Sequence, residues 1–425
     1  MHVLLVNPPI YDFTAYDFWL RPYGMLRVAG RVAHACTFAY FNYLFSEPRD
    51  PWGRGRFHAE KAARPSELAD LRRHFRRFGR PRSEFREFLR KRQFDAVLIQ
   101  TGMTYWYPGV AEVLEDVREL QYAAKTVLGG VYATICPQHA RALNPDLVIE
   151  GSHLDPLWRI LGAPRPALPH HEPEMGSVAV MKLTDGCPFL CTYCSVPLIY
   201  EGFRARPAED CLEEARRLAR SGVRKIALYD DALLFKPEQA LLPFLEGIIR
   251  ERLPVSFHTP NALHPRFLSP QIAQLMVRAG FRSFYLGFES TSAAWLAKTG
   301  AKSSPEDFAA AVQSLRQAGA EFIGCYLIIG HPDGEEQEVE ASMEYAHRQG
   351  ARIILSEFSP VPGTADGERC RPWANLEEPL SHNKTAFTIR KLGAARVNEL
   401  KTLCRQLNEK RSQEPGVRSQ EKNPF

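Results

Sequence analysis

The stretch Gly186-Cys187-Pro188-Phe189-Leu190-Cys191-Thr192-Tyr193-Cys194 sets three cysteines on one short segment, directly after the apolar run 178–183. That run reads as a buried parallel strand, which puts the three thiols on a loop at a strand's carboxyl end. Three thiolates from one loop can cap three irons of a 4Fe–4S cube and leave the fourth iron open to an outside ligand. A structural zinc site wants four protein ligands, commonly as paired C-x-x-C units, and no second pair stands near; Cys211 falls in the helical stretch that follows. An open position is a catalytic arrangement rather than a closed structural one.

Outward from this loop the pattern is regular. Apolar runs at 225–229, 255–258, 283–288, 322–329 and 353–358 follow the first, with a helical pattern between each pair. Strict alternation implies parallel strands with right-handed crossovers, here a partial barrel of six units. Beyond 372 the pattern is helical through 410, and 411–425 reads as a polar, frayed end. Ahead of the barrel, strands at 3–6, 95–101, 125–128 and 147–150 alternate with helices at 22–35, 108–120 and 154–161. Gly and Pro residues break the segment after the first unit into short inserted helices, and 162–173, rich in Pro and His, reads as a linker. The expected fold is therefore α/β. A Rossmann-like domain spans 1–162 with a basic insertion at about 46–93, a partial (β/α)6 barrel spans 174–371, and a helical extension spans 372–425.

The bulk numbers agree with an enzyme-sized globular chain: 425 residues, 45% hydrophobic and 24% charged. The net charge of +5 is modest, yet residues 49–92 carry fifteen Lys and Arg against six Asp and Glu, so the basicity is local. Phosphate binding or an acidic partner would use such a run; a solvated helical face is its commoner origin. The opening apolar run is too short for a secretory segment, and no run reaches the roughly 18 apolar residues of a spanning helix, so a cytoplasmic location without a membrane span is expected. There the nine cysteines read as thiols or metal ligands, with Cys36, Cys136, Cys211, Cys325, Cys370 and Cys404 as buried apolar thiols.

The spacing C-x-x-x-C-x-x-C, with aromatic Tyr193 before the last cysteine, resembles the radical S-adenosylmethionine (SAM) superfamily, over roughly 177–362. The resemblance implies a 4Fe–4S cluster on Cys187, Cys191 and Cys194, with SAM chelated to the open iron through its methionine moiety. It implies reductive cleavage of SAM to a 5′-deoxyadenosyl radical that takes a hydrogen atom from substrate. It also implies SAM contacts from Tyr193, from Asp230 and Asp231 ending the second strand, from Glu289 at the ribose, and from Gly330 in the turn near the adenine. His331 and Asp333 stand in that turn where relatives carry Leu and Gly. Helix capping is the alternative role of Asp231 and Glu289. His258, Asn261 and His264 are expected to face the same mouth, with loop capping as their plainer role, and Pro360 and Pro362 to stiffen a loop over it. No residue is singled out as a catalytic acid, base or nucleophile.

In the amino-terminal part, Asn7-Pro8-Pro9, Thr101-Gly102-Met103-Thr104 and Gly129-Gly130-Val131-Tyr132-Ala133-Thr134 resemble radical SAM proteins that carry a cobalamin-binding domain. The resemblance implies Gly129, Gly130 and Thr134 as cobalamin contacts. The Asp-x-His-x-x-Gly loop that gives cobalt an axial histidine in many cobalamin proteins is absent; Tyr11-Asp12-Phe13-Thr14-Ala15-Tyr16-Asp17 stands there. Some relatives bind cobalamin without that histidine and others keep the fold without the cofactor, and both readings stand. With cobalamin, methyl transfer to an unactivated carbon or phosphorus of a small-molecule or natural-product substrate follows; without it, rearrangement, cyclisation or oxidation. Either needs an electron donor such as flavodoxin or ferredoxin. A transfer-RNA methylthiotransferase would suit the basic insertion, but the chain lacks a second cysteine trio and a nucleic-acid module, so nucleic acid is not the expected partner. A non-catalytic zinc- or RNA-binding protein would leave the barrel pattern unexplained.

Overall fold

The computed structural model describes residues 1–46, 49–50, 52–121, 123–171 and 176–413; the expected frayed end lies, from residue 414, outside them. Five strands, β1 His2–Asn7, β2 Thr37–Asn42, β3 Ala96–Thr101, β4 Lys125–Gly130 and β5 Leu147–Ile149, form a parallel sheet in the order β2-β1-β3-β4-β5. Strand side chains alternate between faces, and β1 shows the consequence. Leu4 and Val6 pack with Phe85, Leu89 and Val113 on one side, while Val3 and Leu5 pack with Met25, Ala29 and Leu157 on the other. The sheet is thus covered on both faces, and its order reverses direction between β1 and β3. Such a switch point opens a crevice at the carboxyl ends of the two strands, where ligands of doubly wound sheets bind.

Six further strands, β6 Val178–Met181, β7 Lys225–Leu228, β8 Ser256–Leu263, β9 Phe281–Glu289, β10 Phe322–Ile329 and β11 Arg352–Glu357, lie parallel and in chain order, an open barrel whose edges are β6 and β11. Local signals set the crossover helices. Pro305–Ala318 begins at a capping box of Ser304 and Asp307, has Pro at its first turn, and ends at Gly319 with φ +84°. The last helix, Ala394–Gln413, covers the β11 edge: Asn408 accepts from the Ile353 amide and donates to its carbonyl, standing in for a seventh strand.

The segment 46–93 corrects the expectation of short helices with a solvated face. Its described residues hold one helix, Arg82–Arg90, and one 3-10 turn, Ser66–Leu68, but also the strands Ala59–Lys61 and Arg76–Phe78, which form an antiparallel sheet with Ile10–Asp12. Some of its cations are tied to acidic side chains of the sheet domain, while others, such as Arg56, Arg72, Arg76 and Arg90, are exposed. Buried Arg77 pairs with buried Glu112 at 2.7 Å, and Arg82 and Arg86 converge on buried Asp116 at 2.9 and 2.5 Å. Its aromatic part closes the barrel floor. Trp52 packs between Tyr285, Phe322 and His258, and Trp19, from the loop after β1, lies tilted against His258 with ring centres 4.6 Å apart.

The linker region is tied down as far as it is described: the His170 amide donates to Leu26, the Arg165 amide to Arg31, and Gly30 leaves room for the Leu168 carbonyl, which a β-carbon would meet at 2.1 Å. Residues 172–173 lie outside the described residues.

Candidate active site at the barrel mouth

A cavity of about 880 Å³ joins the two sheets. One wall is the barrel mouth, with Cys187, Cys191, Cys194, Tyr193, Asp231, Glu289 and Lys302; the other is the switch-point crevice, with Asn7, Pro8 and Pro9 after β1 and Gln100 to Met103 after β3.

The cysteine loop starts at Gly186, where φ is +72° and a β-carbon would lie 1.9 Å from the Gly202 carbonyl, so only glycine makes the turn. All three thiols are free, half-buried, and carried by that one loop. Burial raises the pKa of each, that of Cys194 to about 11. Since thiolate is the ligating form, metal binding here releases protons. Among the described residues no three His, Cys, Asp or Glu side chains converge on a single ion. A cube, by contrast, gives each thiolate its own iron. Backbone bonds from Thr192 to Thr299 and from Asp366 to Thr192 hold the loop in place.

Glu289 ends β9 at a register shift: Gly287 pairs with Tyr326 and Glu289 with Leu327, and Glu289 has φ +67°, a strained value for a residue with a side chain. Burial raises its carboxyl pKa, and Lys302, with Nζ at 3.8 Å, opposes that. Gly287 keeps the space between them open; a β-carbon there would lie 2.6 Å from Nζ of Lys302. Asp231 is held by buried Lys182 at 2.9 Å, which also donates to the Tyr200 hydroxyl. Tyr193 stacks on Trp295, 5.9 Å between ring centres.

Several expected residues lie behind the cavity rather than on it. Asp230 takes the amides of Leu183 and Thr184 and the Thr184 hydroxyl on Oδ1, while Oδ2 is buried without a partner; burial pushes its carboxyl up to about 6. It therefore anchors the approach to the cysteine loop. Gly330, with φ +77°, makes room for Thr388, which a β-carbon would meet at 2.5 Å. Gly130 likewise clears the Thr101 carbonyl, and Thr134 bridges the Gly130 carbonyl and the Gly151 amide. Neither these two nor Gly129 is on the cavity wall; Val131 is. His258 does not face the mouth, because Trp19 and Trp52 enclose it at the floor, where burial holds its pKa down to about 3. Asn261 and His264 do line the cavity.

The sequence reading missed Lys302, Lys182, Trp106 and the aromatic stretch Tyr16 and Phe18, all of them in or beside the wall. Only the stretch carried a signal: a cluster of rings directly after Pro8-Pro9 is costly to expose and implies a packed segment.

Comparison with known proteins matches residues 181–346 to the sequence model of the radical SAM superfamily. An uncharacterized methyltransferase of Pyrococcus horikoshii is 29% identical over 190 residues, 44% of this chain and 40% of that protein. A ribosomal protein uS12 methylthiotransferase of Kineococcus radiotolerans is 30% identical over 205 residues, 44% and 40% of the two chains. The chain thus spans about two fifths of the length of these relatives. Among solved structures, the radical S-adenosylmethionine methyltransferase TsrM of Kitasatospora setae, with cobalamin and a [4Fe-4S] cluster bound, superposes with TM-score 0.67 over 95% of this chain and 90% of its own, at 15% identity. At that identity the likeness is one of fold, and it includes the amino-terminal sheet. With the cysteine loop, the six parallel strands and the matched segment in agreement, the barrel of this chain belongs to the radical SAM superfamily.

Proposed function

We propose that the chain is a SAM-cleaving iron–sulfur enzyme that transfers a methyl group to a small-molecule substrate, with cobalamin as its third cofactor. The observation that carries the first part is the set of three free thiols from one loop, on the wall of a cavity that no other cysteine lines. Soft thiolates in this number suit three irons of a 4Fe–4S cluster, and the same wall offers Glu289, Asp231, Tyr193 and Lys302 to a polar ligand beside it. When bound, the cluster and SAM supply an organic radical able to take a hydrogen atom from substrate, and the protein's share is binding, orientation and exclusion of water. Glu289 accepts hydrogen bonds from the ribose hydroxyls, its strained backbone fixing the carboxylate toward the cavity. Asp231, held by Lys182, and Tyr193, held by Trp295, complete the SAM-facing wall. Asp230 and Gly330 support that wall from behind.

The second part rests on the cavity reaching the switch-point crevice, the position where a doubly wound sheet receives a large ligand. The residues fit cobalamin in space, with Gly129, Gly130 and Thr134 shaping the turn beside it. Among the described residues the cavity wall carries one histidine, His264, and it stands on the barrel side; the crevice side carries none. Asp12, in the loop where other cobalamin proteins carry the histidine, is tied to Trp106, Asn383 and the Phe13 amide, and His382 is tied to Thr104 and the Leu376 carbonyl. Bound cobalamin would carry the methyl group. Methyl transfer is favoured over methylthio transfer because residues 1–186 hold only Cys36 and Cys136, and two thiols cannot hold a second cluster of the same kind. Arg77, Arg82 and Arg86 of the insertion are held by Glu112 and Asp116 rather than offered to a nucleic acid, and an electron donor of the flavodoxin or ferredoxin type completes the proposal.

The test is anaerobic reconstitution with iron, sulfide, zinc and cobalamin quantified, then dithionite and SAM with an assay for 5′-deoxyadenosine. About four irons per chain and deoxyadenosine that vanishes in Cys191→Ala support the cluster reading, and retained cobalamin supports methyl transfer. Stoichiometric zinc with intact SAM sinks the first part; deoxyadenosine without any cobalamin uptake sinks the second and leaves rearrangement or oxidation.

A further inference from the structure

The loop after β10 carries a buried ionisable pair that the proposal above leaves unused. His331 is 1% exposed and Asp366, in the short helix Ala365–Glu368 that follows β11, is 2% exposed. The Trp295 indole donates to Nδ1 of His331 at 3.0 Å, and the Asp333 amide donates to the same nitrogen at 3.2 Å. A ring nitrogen that accepts cannot carry the proton, so the proton is on Nε2, which donates to Asp366 Oδ2 at 2.9 Å. The same Oδ2 accepts from the Thr192 hydroxyl at 2.5 Å, and the Asp366 amide donates to the Thr192 carbonyl at 3.0 Å.

Thr192 and Tyr193 are the two residues between the second and third cysteines. Asp366 grips the first of them, the Trp295 ring stacks on the second, and His331 joins Asp366 to Trp295 through opposite edges of one imidazole. Loops following β9, β10 and β11 therefore meet on the middle of the cysteine loop through a single side chain. An apolar residue at 331 would fill the space but leave the buried Trp295 N–H without an acceptor and Asp366 Oδ2 with Thr192 alone, Arg369 meeting only Oδ1 at 3.1 Å.

We infer that His331 and Asp366 are a positioning couple that fixes the Thr192–Tyr193 segment, and through it the geometry of the cluster and of SAM against it. Groups behind a metal's ligands orient them and tune the metal, and their loss costs about 10- to 100-fold in activity or metal affinity. The inference rests on the reading of Cys187, Cys191 and Cys194 as cluster ligands.

The experiment compares wild type, His331→Leu, His331→Gln and Asp366→Asn after anaerobic reconstitution. Iron content, midpoint potential, the electron paramagnetic resonance spectrum of the reduced cluster with and without SAM, and kcat and KM for deoxyadenosine formation are measured. The expected result is a retained cluster in His331→Leu with a displaced potential, an altered SAM-dependent spectrum and kcat lowered about 10- to 100-fold. His331→Gln, whose amide can both accept and donate, recovers most of each. An unchanged potential and spectrum in His331→Leu overturns the inference, as does a loss that His331→Gln shares in full. If His331→Leu does not fold, Asp366→Asn with wild-type potential and spectrum overturns it. A wild-type protein that takes up no cluster refutes the parent reading instead and is distinguished at the first measurement.

Discussion

Two regions concentrate reactive side chains, and they treat them in opposite ways. In the insertion, charge meets buried countercharge: buried Arg77 lies on Glu112, and half-buried Arg82 and Arg86 on Asp116. In the cysteine loop, three thiols share one cavity wall with no disulfide and no ion pair, while the backbone and the Thr192 hydroxyl between them are firmly held. A segment whose polar groups satisfy one another is structural, however basic it is. A segment whose backbone is fixed but whose strongest donors face a cavity is built to receive something from outside. The comparison breaks most plainly at Cys191. Its change to alanine is expected to abolish deoxyadenosine formation and lower iron per chain while leaving the far-ultraviolet circular dichroism spectrum as in wild type. Full activity in that variant would erase the distinction.

The converse change lies in the insertion. Arg77→Ala leaves Glu112 buried without its cation, held by the Tyr11 hydroxyl alone, and breaking such a pair costs about 3–5 kcal/mol. The urea midpoint is expected to fall accordingly, with deoxyadenosine formed per iron unchanged in the protein that remains folded. Replacing both partners by apolar residues, Arg77→Met with Glu112→Leu, is expected to restore most of the loss, because buried ion pairs add little over good apolar packing. A lowered turnover per iron in the folded fraction of Arg77→Ala would show that the insertion belongs to the site after all.

Glu289 sharpens the comparison from within the site. Hydrogen bonds to a charged group contribute about 1.5–3 kcal/mol, so Glu289→Gln is expected to raise KM for SAM roughly 10- to 100-fold at constant iron content. A KM equal to that of wild type would reduce Glu289 to a cap.

The barrel was legible because buried parallel strands are continuous apolar runs at regular spacing, and the cysteine loop because its ligand spacing is compact in sequence. What was not legible depends on contacts between distant segments. β2, Thr37–Asn42, is a half-exposed edge whose short apolar run, Phe38 to Phe41, cannot be told from a helical segment by periodicity alone. Lys302 reaches Glu289 from a loop with no motif, and its role follows only from the space that Gly287 leaves. His258 looked like a mouth residue because it sits on a barrel strand; it faces the floor, where Trp19 and Trp52 arrive from more than 200 residues upstream. Asp230 and Asp231 are adjacent in sequence but point to opposite duties, one to the backbone before the cysteine loop and one to the cavity.

The smallest expected effect is a change of slope, and it uses that enclosed floor. His258 has its pKa held down to about 3 by burial, so it stays neutral in the folded protein while the unfolded chain takes up a proton near the ordinary histidine value. The unfolded state binds more protons between about pH 6.5 and pH 3, so stability falls as pH drops through that window, by up to about 1.4 kcal/mol per pH unit for one such group. His264, down to about 3, and His382, down to about 4, act in the same direction, both through burial. Asp230 acts in the other: its carboxyl is pushed up to about 6, so the folded state holds the extra proton and stability falls as pH rises between its ordinary value and 6. His139 and His170, also lowered by burial, join these histidines, and Asp12 and Glu289, raised by burial, join Asp230; with five imidazoles against three carboxyls, the urea midpoint is expected to fall from pH 7 to pH 5. His258→Gln is expected to flatten that fall by about 1 kcal/mol per pH unit, whatever it costs at pH 7. Equal slopes for the variant and wild type would mean that water reaches this imidazole, and that the insertion does not seal the barrel floor.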